Sequence, residues 1–344
     1  MKVAAVMSAA ALALAACGDS GSTDTSGDGA TTSGGEKVKV GMAYDVGGRG
    51  DQSFNDAAAA GLDKAKAELG VEAKEATAVD KEPESAREER LQQLIDAGYT
   101  SIIAVGFAYA PSVAKVSKAN PDVHFALVDS TDAKADNITN LTFAEHEGSF
   151  LVGAAAALKS QKKHVGFVGG VGVDLIKKFE AGYKAGVQAV NKDIKIDVTY
   201  LTQPPDFSGF GDPAKGKTAA EGMYQGGADV VYHAAGGSGG GVFTAAKAAG
   251  GMAIGVDSDQ ALTAAPEVKD VIITSMIKKV DVAVYDFIKA ESEGAFKAGE
   301  QVFDLKAGGV DYSTTGGKID DIKAKLDDYK QQIIDGKITV PSKP

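Results

Sequence analysis

Val38-Lys39-Val40-Gly41-Met42-Ala43-Tyr44, then Asp45-Val46-Gly47-Gly48-Arg49-Gly50-Asp51-Gln52-Ser53-Phe54-Asn55-Asp56, then an alanine-rich run to Leu69, is the stretch that decides the architecture. Its opening is apolar and β-rich, its middle is glycine-rich and polar, and its end favours helix. It reads as strand, turn and helix, and the same alternation runs down the chain. Further strands are predicted at Ser101 to Val105, His124 to Val128, His164 to Val168, Lys195 to Leu201, Asp229 to His233, Met252 to Val256 and Val271 to Ser275. Between them lie helical stretches such as Asp56 to Leu69, Glu84 to Ala97, Glu147 to Leu158, Asp174 to Val190, Ala214 to Gln225 and Val280 to Glu291. Strands alternating with helices are the mark of parallel α/β architecture. The strands are nearly continuous Val, Ile, Ala and Gly runs, as a sheet covered on both faces requires.

The series is too long for one small sheet, and its length suits two ordinary domains. The rhythm breaks at Asp136 to Phe143, where Asn137-Ile138-Thr139 and Asn140-Leu141-Thr142 precede a helix, so the first crossing between two lobes is placed there. Both triplets match a glycosylation sequon but are read as loop and strand residues. The expected lobes are 38–145 plus about 274–294, and 146–273 plus about 295–340.

Ahead of the folded part, Met1 and Lys2 lead into an apolar run from Val3 to Leu14, followed by Ala15-Ala16-Cys17-Gly18. That run is too short to cross a bilayer as a helix, which takes about 20 residues, and reads as a secretory signal over residues 1–16. Small residues before a cysteine resemble the bacterial lipobox, in which Cys17 becomes the lipidated mature N-terminus. Several acyl chains would hold the protein to the outer face of the cell membrane. Residues 17–36 are mostly Gly, Ser, Thr and Asp and read as a flexible tether. Cys17 is the only cysteine, so no disulfide forms within the chain. The net charge of -11 is spread without a basic patch, which argues against nucleic acid as a partner.

In open parallel sheets ligands sit beyond the carboxyl ends of the strands. Asp45, Asp129, the Gly236-Gly237 pair and Asp257 each follow a predicted strand there. Any one of these aspartates alone is more often a cap or turn residue; their shared placement favours a cleft. Carboxylates only accept hydrogen bonds, so they suit a ligand rich in hydroxyl or amino donors, such as a sugar. Phe54 lies between Ser53 and Asn55, and Phe210 lies in the glycine-flanked loop Ser208 to Pro213. Phe54 could be a hydrophobic staple against the helix start; from opposite lobes, the two rings could clamp a flat heterocycle.

Other signals weigh less. Gly211-Asp212-Pro213-Ala214-Lys215-Gly216-Lys217-Thr218 matches the phosphate-loop pattern, yet two prolines and several loop residues separate it from the preceding strand, and Pro213 suits a first helical turn. The glycine runs 169–172 and 236–241 are out of frame for a dinucleotide fingerprint and suit close backbone approach. The four histidines show no metal-ligand spacing, no GxSxG elbow is visible, and no cofactor is expected.

The chain resembles the basic membrane protein family of lipoproteins, the purine nucleoside receptor A type of ABC-transporter substrate-binding protein. The resemblance rests on Asp45 to Asn55, Leu127 to Asp129, Glu147 to Gly153, Val165 to Gly170, Asp212 to Lys217, His233 to Gly236, Gly255 to Gln260 and Thr274 to Asp281, and covers nearly everything from Val38 to Glu293. It implies a two-lobed type I periplasmic-binding-protein fold, each lobe a parallel sheet with helices on both faces, and capture of a nucleoside for an ABC permease by a monomer that is not an enzyme. By similarity, Phe54 and Phe210 would sandwich the base, Asp45 and Asn55 would hydrogen-bond it, and Asp129, Gly236, Asp257 and Lys278 would hold the ribose. Lys279 competes with Lys278 for the last role, and either could be a solvated charge at a helix start. A sugar or autoinducer receptor on the same fold, and a nucleoside hydrolase or NTPase using the Gly211 to Thr218 loop, are the alternatives.

Overall fold

In the computed structural model, which describes residues 37–344, the first lobe begins with β1 (Lys39–Tyr44), α1 (Phe54–Leu69), β2 (Glu72–Thr77), α2 (Glu84–Asp96), β3 (Ser101–Ala104), α3 (Ala110–Ala119), β4 (His124–Val128) and β5 (Ile138–Phe143). The second lobe follows with α4 (Glu145–Lys159), β6 (His164–Val171), α5 (Asp174–Val190), β7 (Lys195–Thr202), α6 (Pro213–Gln225), β8 (Val230–Ala234), α7 (Gly239–Ala249), β9 (Met252–Asp257), α8 (Gln260–Thr263) and β10 (Ile272–Lys278). The chain returns to the first lobe with α9 (Val280–Ser292) and β11 (Gly299–Phe303), and closes in the second with β12 (Val310–Tyr312) and α10 (Lys323–Ile334). The signal, Cys17 and the tether lie outside the described residues.

The two sheets repeat one strand order, β2-β1-β3-β4-β5-β11 and β7-β6-β8-β9-β10-β12. Every neighbouring pair is parallel except β10 with β12, which is antiparallel. Helices cover both faces of each: α1 packs with α9 and α2 with α3 in the first lobe, α4 with α5 and α6 with α7 in the second. In α1, Leu62 is fully buried and meets the face of α9 that buries Val284, Phe287 and Ile288. Each such side chain stabilises the fold by about 1.5–3 kcal/mol. Gly61 permits the close crossing, because a Cβ there would run into the Asp281 carbonyl. Helix α1 stops at Gly70, whose φ of 67° suits the left-handed cap that a residue without Cβ adopts freely.

Strand membership corrects the expected lobe boundaries. Residues 138–143 form β5 within the first sheet, so the first crossing falls after them, at Ala144. The chain crosses back at Lys279, after β10 has completed its place in the second sheet; residues 274–278 therefore belong to the second lobe. β11 at 299–303 pairs with β5 and belongs to the first. Apolar content marks a strand but not the sheet it joins, and β11 is a short polar edge that periodicity does not flag. The three crossings lie side by side: Ala144 N donates to the Phe303 carbonyl (3.0 Å) and Lys279 N to the Gly309 carbonyl (2.9 Å).

Candidate functional site

Because the sheets face each other through their carboxyl ends, the residues at or just beyond the ends of β1, β3, β4, β8, β9 and β10 meet between the lobes. Asp45, Phe54, Asn55, Asp129, Phe210, Gly236, Asp257 and Lys278 all line one cavity. The repeated strand order puts like residues at like places. Asp129 after β4 and Asp257 at the end of β9 both take left-handed backbone, with φ of 67° and 62°. Gly106 after β3 and Gly236 after β8 both have positive φ and open a short 3-10 turn.

Lys278 is the last residue of β10, not part of a helix start, and its side chain is 2% exposed. Its Nζ donates to Asp129 Oδ2 at 2.6 Å, lies 3.4 Å from Glu145, and stands 5.0 Å from the Phe54 ring centroid. Burial opposes its charge, but Asp129, Glu145 and Asp257 together hold its pKa above the ordinary lysine value. Lys279 is half-buried and does not line the cavity. Asp129 Oδ1 is buried without a hydrogen-bond partner. Burial pushes Asp45 and Asp257 up to about 6; the Val46 amide and Arg87 oppose the rise at Asp45, and Lys278 and Ser53 oppose it at Asp257. Burial also raises Asp129, against the pull of Lys278.

The turn after β1 is built around Asp51, a cavity-lining residue that sequence reasoning passed over. Asp51 accepts from the backbone N–H groups of Ser53, Asn55 and Asp56, thereby capping α1, and from Asn55 Nδ2 at 3.0 Å. Asn55 Oδ1 in turn accepts from the Asp45 amide at 3.2 Å. The Asn55 amide is thus engaged by the turn itself. The same turn grips the other lobe: Ser53 Oγ donates to Asp257 Oδ2 (2.6 Å), Ser258 Oγ to the Ser53 carbonyl (3.0 Å), and Gln260 Nε2 to the Gln52 carbonyl (2.9 Å).

Phe210 ends the 3-10 turn Ser208–Phe210 and rests on Gly170, where an added Cβ would lie 2.5 Å from the ring. The 169–172 glycine run therefore serves close packing behind a ring of the cavity. Val46, Phe107, Leu175, Ile176 and Phe179 supply its other apolar walls. Phe107 stands two residues beyond a predicted strand end, which is the signal that could have found it; Ile176 and Phe179 look like ordinary core positions of α5. The Gly211 to Thr218 stretch is not a phosphate loop: β7 ends at Thr202, α6 starts at Pro213, and Asp212 caps α6 by accepting from Lys215 N at 3.0 Å. Lys217 faces Glu221 at 3.5 Å, outside the cavity. Among the described residues, no cluster of His, Cys, Asp and Glu could hold a metal ion, and no helix is long and apolar enough to cross a membrane.

Residues 37–343 match the family of PnrA-like ABC transporter substrate-binding proteins. A CD4+ T-cell-stimulating antigen of Listeria innocua is 37% identical over 98% of this chain and 96% of its own. The ABC transporter nucleoside-binding protein BmpA of Lactococcus lactis is 36% identical over 99% of this chain and 98% of its own. Among solved structures, a solute-binding protein of an ABC transporter system from Aeropyrum pernix superposes with a TM-score of 0.78 at 32% identity, covering 89% of this chain and 93% of that one.

Proposed function

The chain belongs to the PnrA-like family of ABC transporter substrate-binding proteins, and from that premise we propose that it captures nucleosides, purine nucleosides foremost, between its lobes and delivers them to an ABC permease. One observation carries the reading: Phe54 from the first lobe and Phe210 from the second line a single cavity that also gathers Asp45, Asp129, Asp257 and Lys278. Two rings provide faces for a base, worth about 1–3 kcal/mol per stacked ring. The carboxylates accept from ribose hydroxyls and base N–H groups, while Lys278 donates to a hydroxyl oxygen. In this reading Asp45 meets the base, and Asp129, Gly236, Asp257 and Lys278 hold the sugar. Asn55 acts through Asp45: its amide is spent on Asp51 and the Asp45 N–H, so it positions the carboxylate.

The protein works by closure and release, as a monomer anchored through lipid on Cys17 at the outer face of the cell membrane, with no chemistry on the ligand. Hinge closure gives a permease a ligand-dependent surface to read. Calorimetry of the unfolded and refolded protein against adenosine, guanosine, inosine, cytidine, uridine and ribose tests the reading. Purine nucleosides should bind while ribose does not, and Phe54→Ala or Phe210→Ala should weaken nucleosides by about 5- to 150-fold. Silence across the panel would remove the nucleoside. Cys17→Ser should move the protein from the membrane to the soluble fraction.

A further inference from the structure

Resting on the nucleoside reading, we propose that Phe107 sets how large a base the cleft accepts, by closing the base end of the cavity against a second cavity that would otherwise receive a substituent on the base. Phe107 is half-buried and lines both spaces, together with Val46. The space beyond it is the larger of the two and is bounded by Lys81, Glu82 and Arg87 of the first lobe and by Pro205, Asp206 and Phe207 of the second.

The ring stands as a partition. It meets Phe210 edge-on at 6.4 Å and Phe207 edge-on at 5.8 Å, so it touches the proposed base clamp on one side and the wall of the second cavity on the other. The outer wall is fixed by a buried ion pair, Arg87 with Glu82 at 3.6 Å, both side chains below 8% exposed. Phe107 directly follows Gly106, where an added Cβ would lie 2.6 Å from Asp45 Oδ2, so the partition and the base-reading carboxylate share one end of the cavity. Asp45 only accepts hydrogen bonds, and on a purine it must face the exocyclic amine or a ring N–H. A group attached to that amine points at Phe107. The walls of the second cavity also carry Val46, Ala108, Ala110, Pro111, Ala114 and Phe207, so an apolar substituent fits against them once the ring is gone.

Adenosine and N6-benzyladenosine are the probes; the latter keeps one N–H for Asp45. The wild-type protein should bind adenosine at least tenfold more tightly. Phe107→Ala should cut that preference by at least tenfold, through tighter binding of the benzyl compound. Phe207→Ala, which removes the ring propping Phe107, should shift the ratio the same way by a smaller factor, and it carries the test if Phe107→Ala does not fold. Equal binding of both compounds by the wild type, or an unchanged ratio in variants that still bind adenosine, overturns the role of Phe107. No nucleoside binding by the wild type overturns the nucleoside reading itself, and this inference with it.

Discussion

Lys278→Met should be among the most damaging single changes in the cleft, and its cost should depend on pH in a defined direction. Methionine has a similar length and is apolar, so packing is nearly preserved and charge is what is lost. The side chains around the lost charge, Asp129 and Glu145, are 4% and 1% exposed. Asp129 Oδ1 and both Glu145 oxygens have no hydrogen-bond partner, and the remaining cation beside them, the half-exposed Lys178, stands 3.6 Å from Glu145 and beyond hydrogen-bond reach of it. Removing one partner of a buried pair costs about 3–5 kcal/mol. Burial already lifts Asp129, and Lys278 is the largest influence opposing that lift, so the variant carries Asp129 higher still. A carboxyl raised in the folded state binds its proton more tightly there than in the unfolded chain. Its favourable contribution is therefore full below the unfolded value and is lost as pH rises through the folded value. The variant's deficit should be largest near pH 7.5 and shrink by pH 5, where Asp129 is protonated. Urea unfolding at the two pH values measures it, and Lys278→Met combined with Asp129→Asn should recover at least half of the loss. A deficit below about 1 kcal/mol at pH 7.5, or one equal at both pH values, would refute the reasoning.

Three further outcomes can be checked. Gly106→Ala forces a side chain onto a φ of 109° and into Asp45, and should cost about 1–3 kcal/mol of stability and most of the ligand affinity, read by thermal unfolding and calorimetry. Ser53→Ala removes the hydroxyl that joins the lobes at Asp257; with about 1.5–3 kcal/mol at stake, ligand dissociation should accelerate about tenfold or more in stopped flow while association changes little. Ligand N–H and O–H groups bind the ionised carboxylates, so nucleoside affinity should be flat above pH 7 and fall as Asp45 and Asp257 take protons below about 6, which titrations at pH 7.5, 6 and 5 would show.

What was legible in the sequence follows from where physics leaves a strong mark. Buried central strands such as 101–104 and 164–171 are continuous apolar runs, and the rule that parallel sheets bind beyond their carboxyl ends pointed to Asp45, Asp129, Gly236 and Asp257 without any three-dimensional information. Edge strands left weaker marks. β2, Glu-Ala-Lys-Glu-Ala-Thr, is charged because one side of it meets water, and β12 is three residues long. The position of Lys278 is ambiguous in the sequence because β10 runs three residues past the expected strand end at Ser275; the strand then aims Lys278 inward, and Lys279 takes up the crossing. In the sequence Asp51 is one polar residue of a glycine turn, and only the fold reveals that it organises Asn55 and the start of α1. Phe179 lies on α5 with the spacing of a core residue, and nothing local separates a ring that faces a cavity from one that faces a sheet.

The interleaving of the lobes orders their completion during synthesis. The second lobe has its five parallel strands, β6 to β10, in hand by residue 278, with the helices α4 to α7 that cover them. The first lobe, although made first, waits for α9 and β11: until residues 280–303 exist, Leu62 on α1 lacks its cover and β5 stays an open edge. The second lobe in turn waits for β12 and α10, at residues 310–334, so the lobe begun first is also the one completed first. A chain ending at residue 303 should hold a protease-resistant first lobe beside a second lobe that is still cleavable.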